Sequence, residues 1–292
     1  MQSFEVFVEG IRAIIETHFR PHLDELTAIW LIERYGNQGF VKQYAEDGVI
    51  KLGIDGGPLD EHPDPEKGDR KEGESACSLV AKALSLTGPA MSFLVQQVTR
   101  QDSSGSSSSL ELGFIVEVMY HNDKTAEQVM EFVFGVLDDL YRYQYKLQTT
   151  TAQEYKRLAQ FEEIPTHRGP LKMVVLDGTN NPQLSKYARS KAGGYVAIVI
   201  QRQPTGNVQI FTNQFYNIDL SGIARTIQQK ELLALGQSPS EVGLGSEGMI
   251  ANWYYHSKMQ ALLNGSLKHP EVPPTKLSLE KLRDIIRQNL KI

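Results

Sequence analysis

One cysteine, Cys77, stands in 292 residues. A lone thiol closes no intrachain disulfide and supplies no Cys-rich zinc module, which fits a reducing compartment. Long apolar runs are also missing: none approaches the roughly 20 residues that span a bilayer, so no membrane partner is expected. There is no excess of basic charge. Thirty Lys and Arg face 35 Asp and Glu, a net charge of −5, which argues against wholesale coating of nucleic acid while leaving room for a local basic groove. Met1-Gln2-Ser3-Phe4-Glu5 has neither a basic leader nor a cleavage site, so no secretory signal is expected and the cytoplasm is the expected compartment. Internal repeats are absent. Ordinary apolar and charged content then describes a globular protein, and its length suits two domains.

Hydrophobic periodicity divides the chain into elements. The apolar run Ile11 to Ile15 predicts a first strand over 12–18, followed by a helix over 24–35 with Trp30 and Leu31 on its buried side. Gly48 to Ile54 predicts a second strand that ends in Asp55-Gly56-Gly57-Pro58, a turn in which two glycines permit conformations closed to other residues. Helices are predicted at 74–86, from Pro89, at 126–147 and at 151–163, with a low-complexity loop at 103–109. After a boundary at Ile164 to Pro170 come a buried strand (171–176), a helix over 183–191, a hairpin formed by 195–200 and 208–211, and amphipathic helices at 219–235 and 278–290. The fold expected is α/β: a parallel-sheet N-terminal domain over 1–163 and a smaller α+β C-terminal domain over 164–292.

The chemistry gathers where the first strand meets its helix. His18, His22 and Asp24 fall at that turn, and open parallel sheets build ligand sites at strand ends of this kind. Three more places offer metal-ligand types: Asp55 after the second strand, Asp60-Glu61-His62 close behind it, and Asp102 at a helix end before the serine loop. Each has a plain reading. Asp24 suits a helix N-terminus, Asp55 a common turn, and Asp60, Glu61, Asp64, Glu66 and Asp69 a solvated acidic loop. Their conjunction predicts a binuclear centre, in which two divalent ions clamp a phosphoryl group and activate water. Histidines in the set favour manganese, iron, cobalt or zinc over a purely oxygen-bound magnesium site; Mn²⁺ is the ion expected, with Mg²⁺, Co²⁺ or Zn²⁺ as alternatives.

His18-x3-His22-x-Asp24-Glu25 resembles the first motif of the DHH phosphoesterase superfamily, in the form found in its MYG-type exonuclease branch. Asp55-Gly56-Gly57 is similar to that branch's Asp-x-Gly-Gly segment, Asp60-Glu61-His62 to the Asp-His-His signature, and Asp102 to the later single aspartate. The resemblance covers roughly residues 11–147. It implies a DHH-like catalytic domain holding two Mn²⁺ ions. One ion would take His18, His22 and Asp55; the other would take Asp24, Asp55, the 60–62 segment and Asp102, with Asp55 bridging. Asp24, Asp55 and His62 would be catalytic. Glu61 departs from the family, which has a ligand histidine there, and the interval between Asp55 and Asp60 is shorter than in the MYG-type branch.

The second half reverses the charge of the whole. Between Pro165 and Arg202 the basic residues Arg168, Lys172, Lys186, Arg189, Lys191 and Arg202 meet one carboxylate, Asp177. Such a face would hold phosphate groups, with Tyr187 and Tyr195 available to stack on bases. Gly193 and Gly194 let backbone approach a ligand, and the pair resembles a phosphate-contacting glycine pair in the domain that follows DHH catalytic domains. Lys186, Arg189, Lys191, Gly193, Gly194, His256 and Lys258 are therefore the substrate-binding candidates. The expected function is metal-dependent phosphodiester hydrolysis, by an exonuclease or a nucleotide phosphodiesterase. The substrate would be single-stranded nucleic acid or a nucleotide, and a homodimer is the oligomer considered. Two alternatives stay open. Pro21-His22-x-Asp24-Glu25 echoes the turn of mononuclear zinc deacetylases, and Glu61 in the histidine position favours an inactive binding or regulatory protein.

Overall fold

A computed structural model describes residues 1–62, 73–104, 108–167, 169–239, 243–265 and 269–290. Asp64, Glu66, Asp69, Arg168 and the centre of the serine loop lie outside these residues. The chain forms two compact units, Met1–Gln148 and Thr149–Ile292.

The first unit is built on a four-stranded mixed sheet in the order β1-β2-β4-β3. β1 (Gln2–Val8) and β2 (Ile11–Thr17) form an antiparallel hairpin, an element the sequence reading did not contain. Its two-residue turn, Glu9-Gly10, holds both residues at positive φ (47° and 81°), the twist that suits tight hairpins. Asp47-Gly48 repeats the device (49° and 81°) between β3 (Ala45–Glu46) and β4 (Val49–Lys51). Only β2 and β4 are parallel, so the sheet is mixed, not the parallel sheet expected.

Between them run α1 (Leu23–Tyr35) and α2 (Gln38–Tyr44). Every residue of α1 from Leu23 to Ile32 is buried, polar ones included, because helices pack on it from several sides. These are α3 (Ala76–Ala83), α4 (Pro89–Ser104), α5 (Leu112–His121) and α6 (Ala126–Lys146). Ser75 and Thr125 cap α3 and α6, each accepting from a backbone N–H three residues on. Trp30 closes the core and donates its indole N–H to Asp138 Oδ1 at 2.9 Å.

A π-helical turn, Leu147–Thr151, leads into α7 (Ala152–Leu158). The helix predicted over 151–163 ends there, and Ala159–Ile164 becomes β5, since pairing with β6 (Leu171–Asp177) satisfies its backbone and outweighs helical propensity. β5 therefore belongs with the second unit. That unit has a seven-stranded sheet in the order β5-β6-β7-β8-β11-β10-β9, with β7 (Ile198–Arg202), β8 (Val208–Thr212), β9 (Gly248–Ile250), β10 (Trp253–His256) and β11 (Ala261–Leu263). β6 and β7 are parallel, and the other pairs are antiparallel. α8 (Gln183–Arg189), α9 (Ser221–Ala234) and α10 (Leu279–Asn289) complete it. Trp253 is buried, and its indole N–H donates to the buried Glu231 of α9. Among the described residues, no helix is long and apolar enough to cross a membrane.

Candidate metal centre

The turn from β2 into α1 is organised by one carboxylate. Glu25 is buried, and its Oε1 accepts from Thr17 Oγ1 at 2.6 Å while meeting His18 Nδ1 at 2.5 Å. Oε2 accepts the backbone N–H of His22 at 2.7 Å, an otherwise orphaned donor at the start of α1. Space for Glu25 depends on Gly53, whose φ is +64° and where an added Cβ would stand 2.8 Å from Oε1. With Nδ1 of His18 engaged by Glu25, its Nε2 is the nitrogen left to face a ligand.

Three histidines then converge. The His18 ring lies 6.2 Å from that of His22 and 6.0 Å from that of His62. Carboxylates gather with them, Asp24, Glu25, Asp60 and Glu61 buried and Asp102 half-buried. Ligand atoms of Asp24, Glu61 and Asp102 lie within 4.8 Å of one another, as do those of His22, Asp24 and Glu25, and those of Asp60, Glu61 and His62. Asp24 belongs to two of these sets and Glu61 to two, so the three are one continuous cluster. Asp24 Oδ2 accepts from the backbone N–H of Ala76 at 3.1 Å, at the N-terminus of α3. Burial, and then the neighbouring charges of Asp102, Glu25 and Glu61, push the Asp24 carboxyl well above the usual range. Burial likewise raises Glu61. Among the described residues Glu61 Oε2 is buried without a hydrogen-bond partner. A buried carboxylate oxygen with no donor, pressed against two other acids, is the environment that a cation relieves.

Asp60 is spent differently. Its Oδ2 accepts from Gly56 N at 2.8 Å and its Oδ1 from His62 N at 2.9 Å, which ties the short 55–62 turn together and also places Oδ1 3.0 Å from His62 Nδ1.

The structure gathers His18, His22, Asp24, Asp60, Glu61, His62 and Asp102, and leaves out Asp55. That residue has a φ of +61°, and its exposed carboxylate pairs with Lys51 Nζ at 2.8 Å. The positive φ turns the side chain away to the rim of a separate cavity of about 240 Å³ lined by Tyr44, Lys51 and Pro58. The bridging role implied for Asp55 has no counterpart in this geometry, whereas Asp24 and Glu61 are the residues shared between sets. Glu25 was visible in the sequence only as a motif companion. A Glu three residues after a helix N-cap is the signal that could have identified it, obscured here because the cap is a histidine.

In the second unit, Gly193 and Gly194 line a cavity of about 490 Å³ with Tyr155, Lys156, Phe161 and Tyr187. Gly193 cannot carry a side chain, since a Cβ would meet Tyr187 O at 2.0 Å. Tyr155 donates to Gly193 O at 3.2 Å, and Lys172 stands over the Phe161 ring at 4.2 Å. Lys186 and Lys191 are exposed. Arg189 is turned inward: Nε donates to Ser185 O and Nη1 to Thr212 O, both at 3.0 Å. Arg202 is paired with Asp177 through two 2.7 Å contacts. His256 and Lys258 lie at the β10–β11 turn, away from the glycine cavity by the strand order, and His256 Nδ1 is 3.7 Å from Glu247.

No protein-family model matches the chain, and no curated protein does. Among solved structures it is similar to one described as a DHH-domain member of the S1p family of ribosomal proteins. The match has 12% identity and a TM-score of 0.32, and covers 92% of this chain and 74% of that one.

Proposed function

We propose that the first unit is a divalent-cation centre that hydrolyses phosphodiesters. The observation that carries this reading is the buried oxygen Oε2 of Glu61, which among the described residues has no hydrogen-bond partner, in a carboxylate that clusters with Asp24 and Asp102 and also with Asp60 and His62. The donor set of imidazole and carboxylate suits Mn²⁺, with Co²⁺ or Zn²⁺ as substitutes. Two adjacent ion positions would share Asp24 and Glu61. His22 and Asp102 flank Asp24, while Asp60 and His62 flank Glu61. Bound there, divalent cations neutralise phosphoryl oxygens and lower the pKa of water. The chain's own work is positional. Glu25 fixes the His18 ring and the start of α1, Ala76 N fixes Asp24, and Asp60 folds the 55–62 turn so that Glu61 faces inward. The second unit offers its own anion-binding groups: Lys156 lines the glycine cavity with Tyr155 and Tyr187, Lys172 stands beside Gly194, and Lys186 and Lys191 are exposed.

The test is Mn²⁺ stoichiometry by calorimetry together with turnover of bis-p-nitrophenyl phosphate. Two ions and Mn²⁺-dependent turnover are expected, and Asp24→Asn or Glu61→Gln should each lower kcat/KM by ~100-fold or more. Asp55→Ala should retain turnover; its abolition would return Asp55 to the centre. One zinc ion with no phosphodiesterase activity would favour the deacetylase reading. Glu61 in the position of a histidine favours a second reading, a metal-binding protein without catalysis, which two bound ions and no turnover on any phosphoester would support.

A further inference from the structure

The outer strands of the two sheets are not alike. β3 and β9 are two and three residues long. β5 has six residues, and α10 reaches it: Arg283 Nη2 donates to Gln160 Oε1 at 2.8 Å and Arg287 pairs with Glu162. β1 is longer, at seven residues, and the elements that pack on it are β2 and α1. Its two-residue turn makes Val8 and Ile11 a hydrogen-bonded pair, and the bonding alternates from there. Gln2, Phe4, Val6 and Val8 therefore spend their backbone groups on β2, while Ser3, Glu5 and Phe7 turn theirs to the open side. These three residues are exposed, Phe7 by 62 %. Among the described residues, no group meets their backbone on that side.

β1 also lacks the devices that keep a sheet edge from pairing. It contains no Pro, Gly or Lys. Its register with β2 runs unbroken from Gln2 opposite Thr17 to Val8 opposite Ile11, so no bulge twists it away. Its one charge, Glu5, is paired from the next strand by Arg12 Nε at 2.5 Å.

We propose that β1 pairs with β1 of a second copy of this chain, antiparallel about a two-fold axis at Glu5. Unspent donors and acceptors at strand spacing call for another strand. A second copy supplies one of matching length, and antiparallel is the direction a two-fold axis imposes. Within Gln2–Val8 this register alone brings all three open residues into hydrogen-bonded pairs. Glu5 stands opposite Glu5, and Ser3 opposite Phe7 of the second copy, with two bonds to a pair and so about six in all. Ser3 is small enough to leave room for the Phe7 ring. Each Glu5 keeps its own Arg12, so the carboxylates that meet at the axis are not bare. The two four-stranded sheets then join into one, and the edge is used up.

Light scattering on the full chain reads the mass, and sedimentation reads the dissociation constant. The wild type should form a dimer of twice 32.8 kDa, with the amides of Ser3, Glu5 and Phe7 protected from hydrogen exchange. Glu5→Pro removes a donor on the open side and costs no bond to β2, so it should weaken the dimer by about tenfold or more. Arg12→Ala bares the two facing carboxylates and should weaken it by about fivefold. Adding Glu5→Gln to Arg12→Ala should restore the wild-type affinity, a rescue that a merely structural role for Arg12 would not give. Should Glu5→Pro lose its folded circular dichroism, Phe7→Lys is read instead, since it alters an exposed side chain and places lysine on the edge; the same weakening is expected. A monomeric wild type overturns the pairing, as does a dimer left unchanged by the folded edge variant. Fast exchange at the three amides within a dimer assigns the contact to another face and overturns it. Species larger than a dimer, from an edge that pairs without closing, overturn it as well.

Discussion

Glu25 is the residue on which the proposed centre's geometry turns. It touches Thr17, His18 and His22 at once, from a position whose own space is kept open by Gly53. Outer carboxylates that orient ligand imidazoles typically govern metal affinity by a factor of 10–100. Glu25→Gln is therefore expected to weaken Mn²⁺ binding by roughly tenfold to a hundredfold, measured by calorimetry, while the far-ultraviolet circular dichroism stays that of the wild type. An unchanged affinity would remove the orienting role. At this scale the juxtaposition of His18, His22 and Asp24 was legible because their spacing around a strand-to-helix turn is itself the signal. Asp55 stands apart from the cluster for a physical reason. Its backbone after the strand is at positive φ, as is that of Gly56, and the sequence Asp-Gly-Gly does not reveal that the aspartate takes that conformation. The inward turn of Arg189 was not legible, because a charged residue that donates to carbonyls looks, in sequence, like one that waits for a phosphate.

Among the elements, α1 and α6 are joined by a polar clamp within an apolar contact. Asp138 of α6 accepts from the Trp30 indole and pairs with Arg34 Nη2 at 3.2 Å. Burial pushes its carboxyl upward, but the hydrogen bonds from Arg34 and Trp30 outweigh that and hold it below the ordinary carboxylate range. A depressed carboxyl contributes stability that is complete above its unfolded pKa and fades as pH falls through the folded one. Asp138→Ala should accordingly destabilise the protein by about 1–2 kcal/mol near neutral pH, part of it from the stranded indole N–H. The difference from the wild type should narrow as the pH drops below about 4, as urea titrations across that range would show. A constant difference would mean that packing, not the charge, is what is lost. Most helices were legible through their caps and periodicity. β1 was not, although its alternation is clear in retrospect: Phe4, Val6 and Val8 face the core and Glu5 and Phe7 face out. β5 was read as helix because Ala-Gln-Phe-Glu-Glu-Ile has no breaker before it, and only its partner β6 decides the matter.

At the level of the whole molecule, the chain keeps separate cores. Trp30, Val129 and Leu137 belong to one, and Trp253, Ile227 and Ile286 to another, with a smaller cluster around Val174 and Leu184 in the second unit. The division between the units falls at the π-helical turn after α6, between the two helices predicted at 126–147 and 151–163, whereas the sequence reading put the boundary after 163 because it took the stretch up to 163 as helix belonging to the first domain. Residues 1–148 expressed alone should fold cooperatively and bind Mn²⁺ with the stoichiometry of the full chain, as thermal melts and calorimetry would show. Failure to fold would make the second core a structural requirement of the first.

Separate cores also change what damage to this protein would mean. A lesion that melts the β-rich half need not silence the other half. If the first unit holds the cations proposed for it, such a lesion would leave behind a polypeptide that still sequesters them after the second unit is lost. The harm of that allele would then scale with its abundance.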